Sequence, residues 1–169
     1  MKIKKNISLI GMPAAGKTTI GRLVAEYTGY RFIDSDDIIQ SGENATLAQI
    51  IAAKGLECFL EIEENHVKKI SCSNHIIATG GSVVYRHEAM QHLADISTIV
   101  YLHAGLEILL PRLSDVRGRG VAISRGKTIE DLYKERTPLY DKWCDIKIDC
   151  GSMSADQVVK KLITCLFPE

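Results

Sequence analysis

Residues 9–21 read Leu-Ile-Gly-Met-Pro-Ala-Ala-Gly-Lys-Thr-Thr-Ile-Gly, so Gly11 is followed after four residues by Gly16-Lys17-Thr18. The apolar residues Ile7, Leu9 and Ile10 stand directly before it. A segment of this kind binds nucleotide phosphates. Glycines let the chain curl until several backbone N–H groups point inward at phosphate oxygens. Lys17 supplies a positive charge for the outer phosphates, and the Thr18 hydroxyl is suited to ligate Mg²⁺. The helix opening near Lys17 turns its positive end toward the same place.

A second group of reactive side chains follows in Phe32-Ile33-Asp34-Ser35-Asp36. Two carboxylates spaced this way at the end of a strand share one face beside the loop's cation, where one can serve a metal and the other a proton. Helix capping by Asp34 or Asp36 is the competing reading, and Asp37 suits a cap or a solvated position better than a site. Residues 114–127, Ser-Asp-Val-Arg-Gly-Arg-Gly-Val-Ala-Ile-Ser-Arg-Gly-Lys, are rich in glycine and cations with little periodicity. They read either as a solvated basic loop or as a mobile lid. Chemistry on ATP favours the lid, because phosphoryl transfer needs water excluded and cations near the moving group.

The elements that must position these groups follow from the apolar pattern. Strands are expected at 5–10, 31–33, 75–78, 97–102 and 145–149, alternating with helical stretches, which predicts an α/β fold with a parallel sheet covered on both faces. Ile20, Leu23, Val24 and Tyr27 recur at helical spacing, and Gly29 is a plausible stop. Residues 34–72 are helical in pattern throughout. Thr46-Leu-Ala-Gln49 is a capping box, Lys54-Gly55 closes that helix, and a second runs from about Glu57 with Phe59, Ile62, Val67 and Ile70 inward. This insert is a natural place for an acceptor-binding module. Thr128 caps a helix through about Asp141, and Ser154-x-x-Gln157 caps the last one.

At 169 residues, one domain spanning 1–169 is expected. Lys plus Arg and Asp plus Glu number 21 each, so no overall field draws the chain to nucleic acid or an anionic membrane. No apolar stretch is long enough to span a bilayer, and a soluble, cytoplasmic monomer is expected. The cysteines at 58, 72, 144, 150 and 165 lack metal-binding spacing and read as reduced, partly buried thiols.

With the loop, the Asp-x-Asp after the second strand, Thr79-Gly80-Gly81 after the third, the arginine-bearing lid and Arg136-Thr-Pro-Leu-Tyr140, the chain resembles the shikimate kinase family over nearly its full length. The resemblance implies a three-layer phosphate-loop kinase fold with a five-stranded parallel sheet. It also implies transfer of the ATP γ-phosphoryl group, with Mg²⁺, to a hydroxyl of a small carboxylated ring, shikimate first. Carried over by position, Gly11, Ala14, Ala15, Gly16, Lys17, Thr18 and Thr19 form the phosphate loop, and Asp34 stands with Thr18 near the metal. Asp36 holds the acceptor hydroxyl, Gly80, Gly81 and Ser82 line the acceptor site, and Arg136 binds the acceptor carboxylate. Without the family, Arg136 would also fit a helix-surface salt bridge, and Tyr140 is expected to pack. Arg119, seven residues after Arg112, matches the lid arginine that stabilises transition-state charge, with Arg117 in reserve.

Two positions depart from the pattern. The family's Gly-Gly-Gly ends here in Ser82, and its second carboxylate-binding arginine, in Gly-Glu-x-x-Phe-Arg-x-x-Glu, is Leu60. Three consequences are open: another cation such as Arg117, Arg125 or Lys54 takes over; the acceptor is a different hydroxy acid or a homoserine-like amino-alcohol acid, with Glu57 or Glu61 drawing the amine; or the chain is a catalytically weak ATP-binding regulatory protein. A nucleoside monophosphate kinase fits less well, because the insert lacks an arginine pair for a second nucleotide phosphate.

Overall fold

The apolar runs form strands β1 (Asn6–Ile10), β2 (Arg31–Asp34), β3 (His75–Ala78), β4 (Ser97–His103) and β5 (Ile146–Asp149) in the computed structural model, which describes residues 4–114, 121–123 and 126–168. All pair in parallel, in the order β2-β3-β1-β4-β5. Parallel neighbours need long crossovers, and helices supply them. These are α1 (Lys17–Thr28), α2 (Ser35–Glu43), α3 (Leu47–Val67), α4 (His87–Ile96), α5 (Leu106–Ser114) and α6 (Ile129–Trp143), and a last helix, α7 (Ala155–Leu166), follows β5. The strands fall where the sequence places them, to within one residue at each end.

Alternation along each strand divides the core in two. Ile7, Leu9, Ile76, Val100 and Leu102 pack with Ile20 and Val24 of α1 and with Val158 and Leu162 of α7. On the opposite face Ile10, Ile77, Ile99 and Tyr101 meet Val67 of α3, Met90 and Leu93 of α4, Leu109 of α5 and Tyr140 of α6. With both faces covered, the central strands β1, β3 and β4 are buried along nearly their whole length, whereas the edge strands β2 and β5 keep exposed charged residues. The cysteines are free thiols; Cys150 is buried, but Cys165 is exposed rather than packed.

The 34–72 insert carries a small core of its own, in which Ile39, Leu47, Ile50, Phe59 and Leu60 close on Ala122. Its two expected helices form one run, α3, broken at Gly55, where φ is 82° and ψ 167°. The Thr46–Gln49 capping box is formed in both directions, as are those at Thr128–Asp131 and Ser154–Gln157. Strand β1 is central. Its chain leaves toward β2 on one side, whereas β3 leads to β4 on the other, so the connections diverge at its carboxyl end. Open α/β sheets form their ligand crevice at such a point.

Candidate active site

The segment between β1 and α1 curls because three residues take positive φ: Gly11 at 145°, Ala14 at 64° and Gly16 at 95°. A Cβ on Gly11 would sit 2.6 Å from the Leu102 carbonyl oxygen, and Gly16 caps α1 in the left-handed region. Both positions therefore require glycine, while Ala14 bears a conformation that L-residues seldom adopt. A cavity of about 330 Å³ opens over this curl. Ala14, Gly16, Lys17, Thr18 and Thr19 line it, whereas Gly11 and Ala15 are buried beneath the loop. Lys17 is almost wholly buried, and its Nζ donates to the carbonyls of Gly11 and Met12, 2.8 Å each. Burial lowers its pKa to about 8, against the pull of Asp36 and Asp34.

Asp34 closes β2 and has two partners. Its Oδ2 accepts from the Thr18 hydroxyl at 2.9 Å, and its Oδ1 accepts from the Asp36 backbone N–H at 3.1 Å. It is thus both the cap of α2 and a neighbour of the phosphate loop. The Thr18 hydroxyl and this carboxylate are adjacent hard oxygen donors, a pairing that fits Mg²⁺. Asp36 is no cap: its Oδ1 is buried in the cavity without a hydrogen-bond partner among the described residues. Burial, with Asp34 next to it, raises its carboxyl to about 6. Asp37 is exposed, the solvated residue it resembles in the sequence.

The far wall comes from β3, α3 and α6. Gly80 donates its backbone N–H to the Ser35 hydroxyl at 3.1 Å. That group is therefore engaged, and the need for glycine lies elsewhere. A Cβ at this position would collide with Glu63 Oε1 and come within 3.0 Å of Asp36 Oδ1. At Gly81 it would crowd Pro13 Cδ at 2.9 Å and Arg136 Nη1 at 3.1 Å. The two glycines thus let the Asp36 and Glu63 carboxyls and the Arg136 guanidinium converge on one turn of backbone. Ser82 is buried and lines the same wall.

Arg136 is fully buried, which removes the surface salt-bridge reading. Its Nε donates to the Tyr85 hydroxyl at 3.1 Å, its Nη2 donates to the Ala122 carbonyl, and the guanidinium lies 4.9 Å from the Tyr85 ring centroid. Nη1 has no partner among the described residues and stands beside Gly81 at the cavity wall. Tyr140 does more than pack: its hydroxyl donates to the Gly81 carbonyl at 2.6 Å, tying α6 to the glycine turn.

Glu63 is the residue that the motifs do not single out, since in them it serves only to fix the register of α3. It is fully buried, it lines the cavity, and neither carboxylate oxygen has a hydrogen-bond partner among the described residues. Burial raises its carboxyl to about 7, opposed by the Ser82 hydroxyl beside it. A signal is present in the sequence: Phe59, Glu63, Val67 and Ile70 recur at helical spacing, and all four are buried. An acid on an apolar stripe is a buried acid. Leu60 lies with the small insert core, outside the cavity wall. Lys54 does not replace the missing arginine, because its Nζ is held by Glu43 at 2.8 Å. Glu57 pairs with Arg86 and Glu61 is exposed, so neither is positioned to draw an amine into the cavity. Arg117, Arg119 and Arg125 lie outside the described residues. Arg112 approaches the loop, its Nη1 donating to the Ala14 carbonyl at 3.4 Å.

Comparison with known proteins bears on the family and the fold. The family model for shikimate kinase matches residues 13–167. The chain is 35% identical over 162 residues to a shikimate kinase of Thermodesulfovibrio yellowstonii, covering 94% of this chain and 93% of that one. It is also 36% identical over 165 residues to human threonine synthase-like 1, covering 96% of this chain but only 22% of that protein's length. Among solved structures, a shikimate kinase from Acinetobacter baumannii in complex with shikimate superposes with a TM-score of 0.89 at 29% identity, covering 96% of this chain and 93% of that one. The enzyme from Aquifex aeolicus gives 0.82 at 30%, covering 95% of each chain. A phosphate loop, a converging set of carboxyls and a buried arginine on a five-stranded parallel sheet, together with these matches, make the chain a small-molecule kinase of the shikimate kinase family.

Proposed function

We propose that this chain transfers the γ-phosphoryl group of ATP to a hydroxyl of shikimate. The observation that carries the reading is that one cavity joins the phosphate loop to Asp36 and Arg136. An acceptor with a hydroxyl and a carboxylate can lay the first on Asp36 Oδ1 and the second on Arg136 Nη1, both of which lack partners among the described residues. A guanidinium suits a carboxylate in geometry as well as in charge. The likeness to a kinase solved with shikimate supports the same acceptor.

In this mechanism the loop N–H groups and Lys17 hold the β- and γ-phosphates, Lys17 leaving the carbonyls of Gly11 and Met12 to do so. Thr18 and Asp34 would hold Mg²⁺, which offsets phosphate charge as it does in other phosphate-loop enzymes. Asp36 aligns the acceptor hydroxyl with the γ-phosphorus and takes its proton late, since a loose transition state asks little of a base. Arg119 would add positive charge from the lid. Catalysis is then mainly a matter of holding two reactants in line. ADP release dependent on shikimate tests the reading, and the absence of any acceptor-stimulated release would overturn it.

A further inference from the structure

If Asp36 and Arg136 hold the acceptor, as proposed above, the charges of the cavity point to one more property. Three of its side chains present atoms without hydrogen-bond partners among the described residues: Asp36 Oδ1, Arg136 Nη1, and both carboxylate oxygens of Glu63. A hydroxyl for Asp36 and a carboxylate for Arg136 leave Glu63 unmatched. Among the described residues, no cation lies within ion-pair distance of it. One turn earlier on α3, where an i, i+3 partner would stand, is the apolar Leu60. A buried acid that faces a ligand cavity with only the Ser82 hydroxyl beside it is a receptor for a donor, and a cationic donor is held most strongly.

We infer that Glu63 is a recognition site for an ammonium group, so that the cavity accepts hydroxy-amino acids as a second acceptor class beside shikimate. Such a zwitterion satisfies every open atom. Its carboxylate meets Arg136, its hydroxyl meets Asp36, and its ammonium meets Glu63, so each charge of the zwitterion faces an opposite one. The departure at Leu60 makes this possible, since an arginine there would have occupied the Glu63 carboxylate itself.

The inference carries a signature in pH. Glu63 faces Lys17 of α1, Asp36 of α2, Arg136 of α6 and the Ser82 hydroxyl; burial and Asp36 favour its neutral form, while Ser82, Arg136 and Lys17 oppose them. An ammonium needs the ionised acid, so turnover of a hydroxy-amino acid improves as pH rises through about 7. Shikimate brings a carboxylate and no cation, and the same ionisation works against it.

The test is ADP release with shikimate, L-homoserine, L-serine and L-threonine as acceptors, each across this pH range, in the wild-type chain, Glu63→Gln and Leu60→Arg. At least one hydroxy-amino acid should be phosphorylated, with kcat/KM rising toward alkaline pH while that for shikimate falls. Either substitution should lower the ratio of hydroxy-amino acid to shikimate kcat/KM about 10- to 100-fold, the equivalent of one charged hydrogen bond. Turnover of shikimate alone overturns the inference and leaves the proposed function standing. Turnover of no acceptor overturns both. Turnover of a hydroxy-amino acid with an unchanged ratio in Glu63→Gln means the amine is read elsewhere, and the inference falls. Should the variants not fold, parallel pH slopes for the two classes in the wild-type chain overturn it equally.

Discussion

Glu63 Oε1 occupies the space that any side chain on Gly80 would need, although the two residues are seventeen positions apart and on different elements. The glycine turn after β3 and the inward face of α3 are therefore fitted to each other through one carboxylate. Gly80→Ala must push that carboxylate aside or move the turn. Overpacking of this kind costs about 1–3 kcal/mol, and a urea unfolding curve should show it as a lowered midpoint. The same variant should raise the acceptor KM far more than the ATP KM, because the turn lines the cavity beside Asp36 and Arg136, the residues proposed above to hold the acceptor.

Stability should report the buried acid directly. The Glu63 carboxyl is raised by burial from 4.5 to about 7, so between these values the folded chain holds a proton that the unfolded chain has lost. Stability contributed by this group is thus complete below about 4.5, declines as pH rises, and is gone above about 7. Integrated over that window the loss is on the order of 3 kcal/mol. Glu63→Gln should remove this part of the pH dependence and be more stable than the parent under mildly alkaline conditions, as measured by denaturant unfolding at several pH values.

Asp36 sits where a hydroxyl would be aligned, and its carboxyl is raised to about 6, chiefly by burial. Asp36→Asn should lower kcat about 10²- to 10⁴-fold while nucleotide binding persists. In the parent, kcat/KM for the acceptor should fall as pH drops below about 6, since the neutral acid no longer accepts the hydroxyl proton. Steady-state kinetics paired with nucleotide titration by calorimetry separates the two effects.

Lys17 gives the opposite limb. Its pKa is lowered to about 8 by burial, so the free chain loses this charge as pH rises through that value, and ATP affinity should fall with it. Bound phosphates restore the charge, so the effect belongs to kcat/KM for ATP more than to kcat. Lys17→Met should abolish turnover with every acceptor.

Tyr140 donates its hydroxyl to the Gly81 carbonyl from a fully buried position. Tyr140→Phe leaves that carbonyl short of a partner, with an expected loss of about 1–3 kcal/mol. Because Gly81 shares the wall with Arg136, the acceptor KM should rise as well.

Much of this arrangement is legible in the order of residues, and the reason is locality. The phosphate loop, Asp34 and Asp36 lie at the ends of adjacent apolar runs, where spacing alone implies position, and the capping boxes at Thr46, Thr128 and Ser154 mark helix starts within four residues. Arg136 is legible only through the family motif around it; its burial is a property of the packed fold. The roles of Glu63 and Tyr140 are hidden in the sequence because they are non-local. What makes Glu63 matter is the face of α3 it occupies and the turn after β3 that meets it, and what makes Tyr140 matter is a carbonyl 59 positions away. Leu60 is recognisable from the motif as a missing arginine, but Glu57 and Glu61, the acids expected to answer for it, do not line the cavity, whereas Glu63 does.

The central claim, that one cavity brings the ATP γ-phosphate to the hydroxyl of a carboxylated acceptor, is tested most directly by following label from γ-labelled ATP in the presence of Mg²⁺ and shikimate. Label should appear on shikimate with the intact chain and be lost with Asp36→Asn. Label released only to water, or transfer undiminished in Asp36→Asn, would contradict the claim.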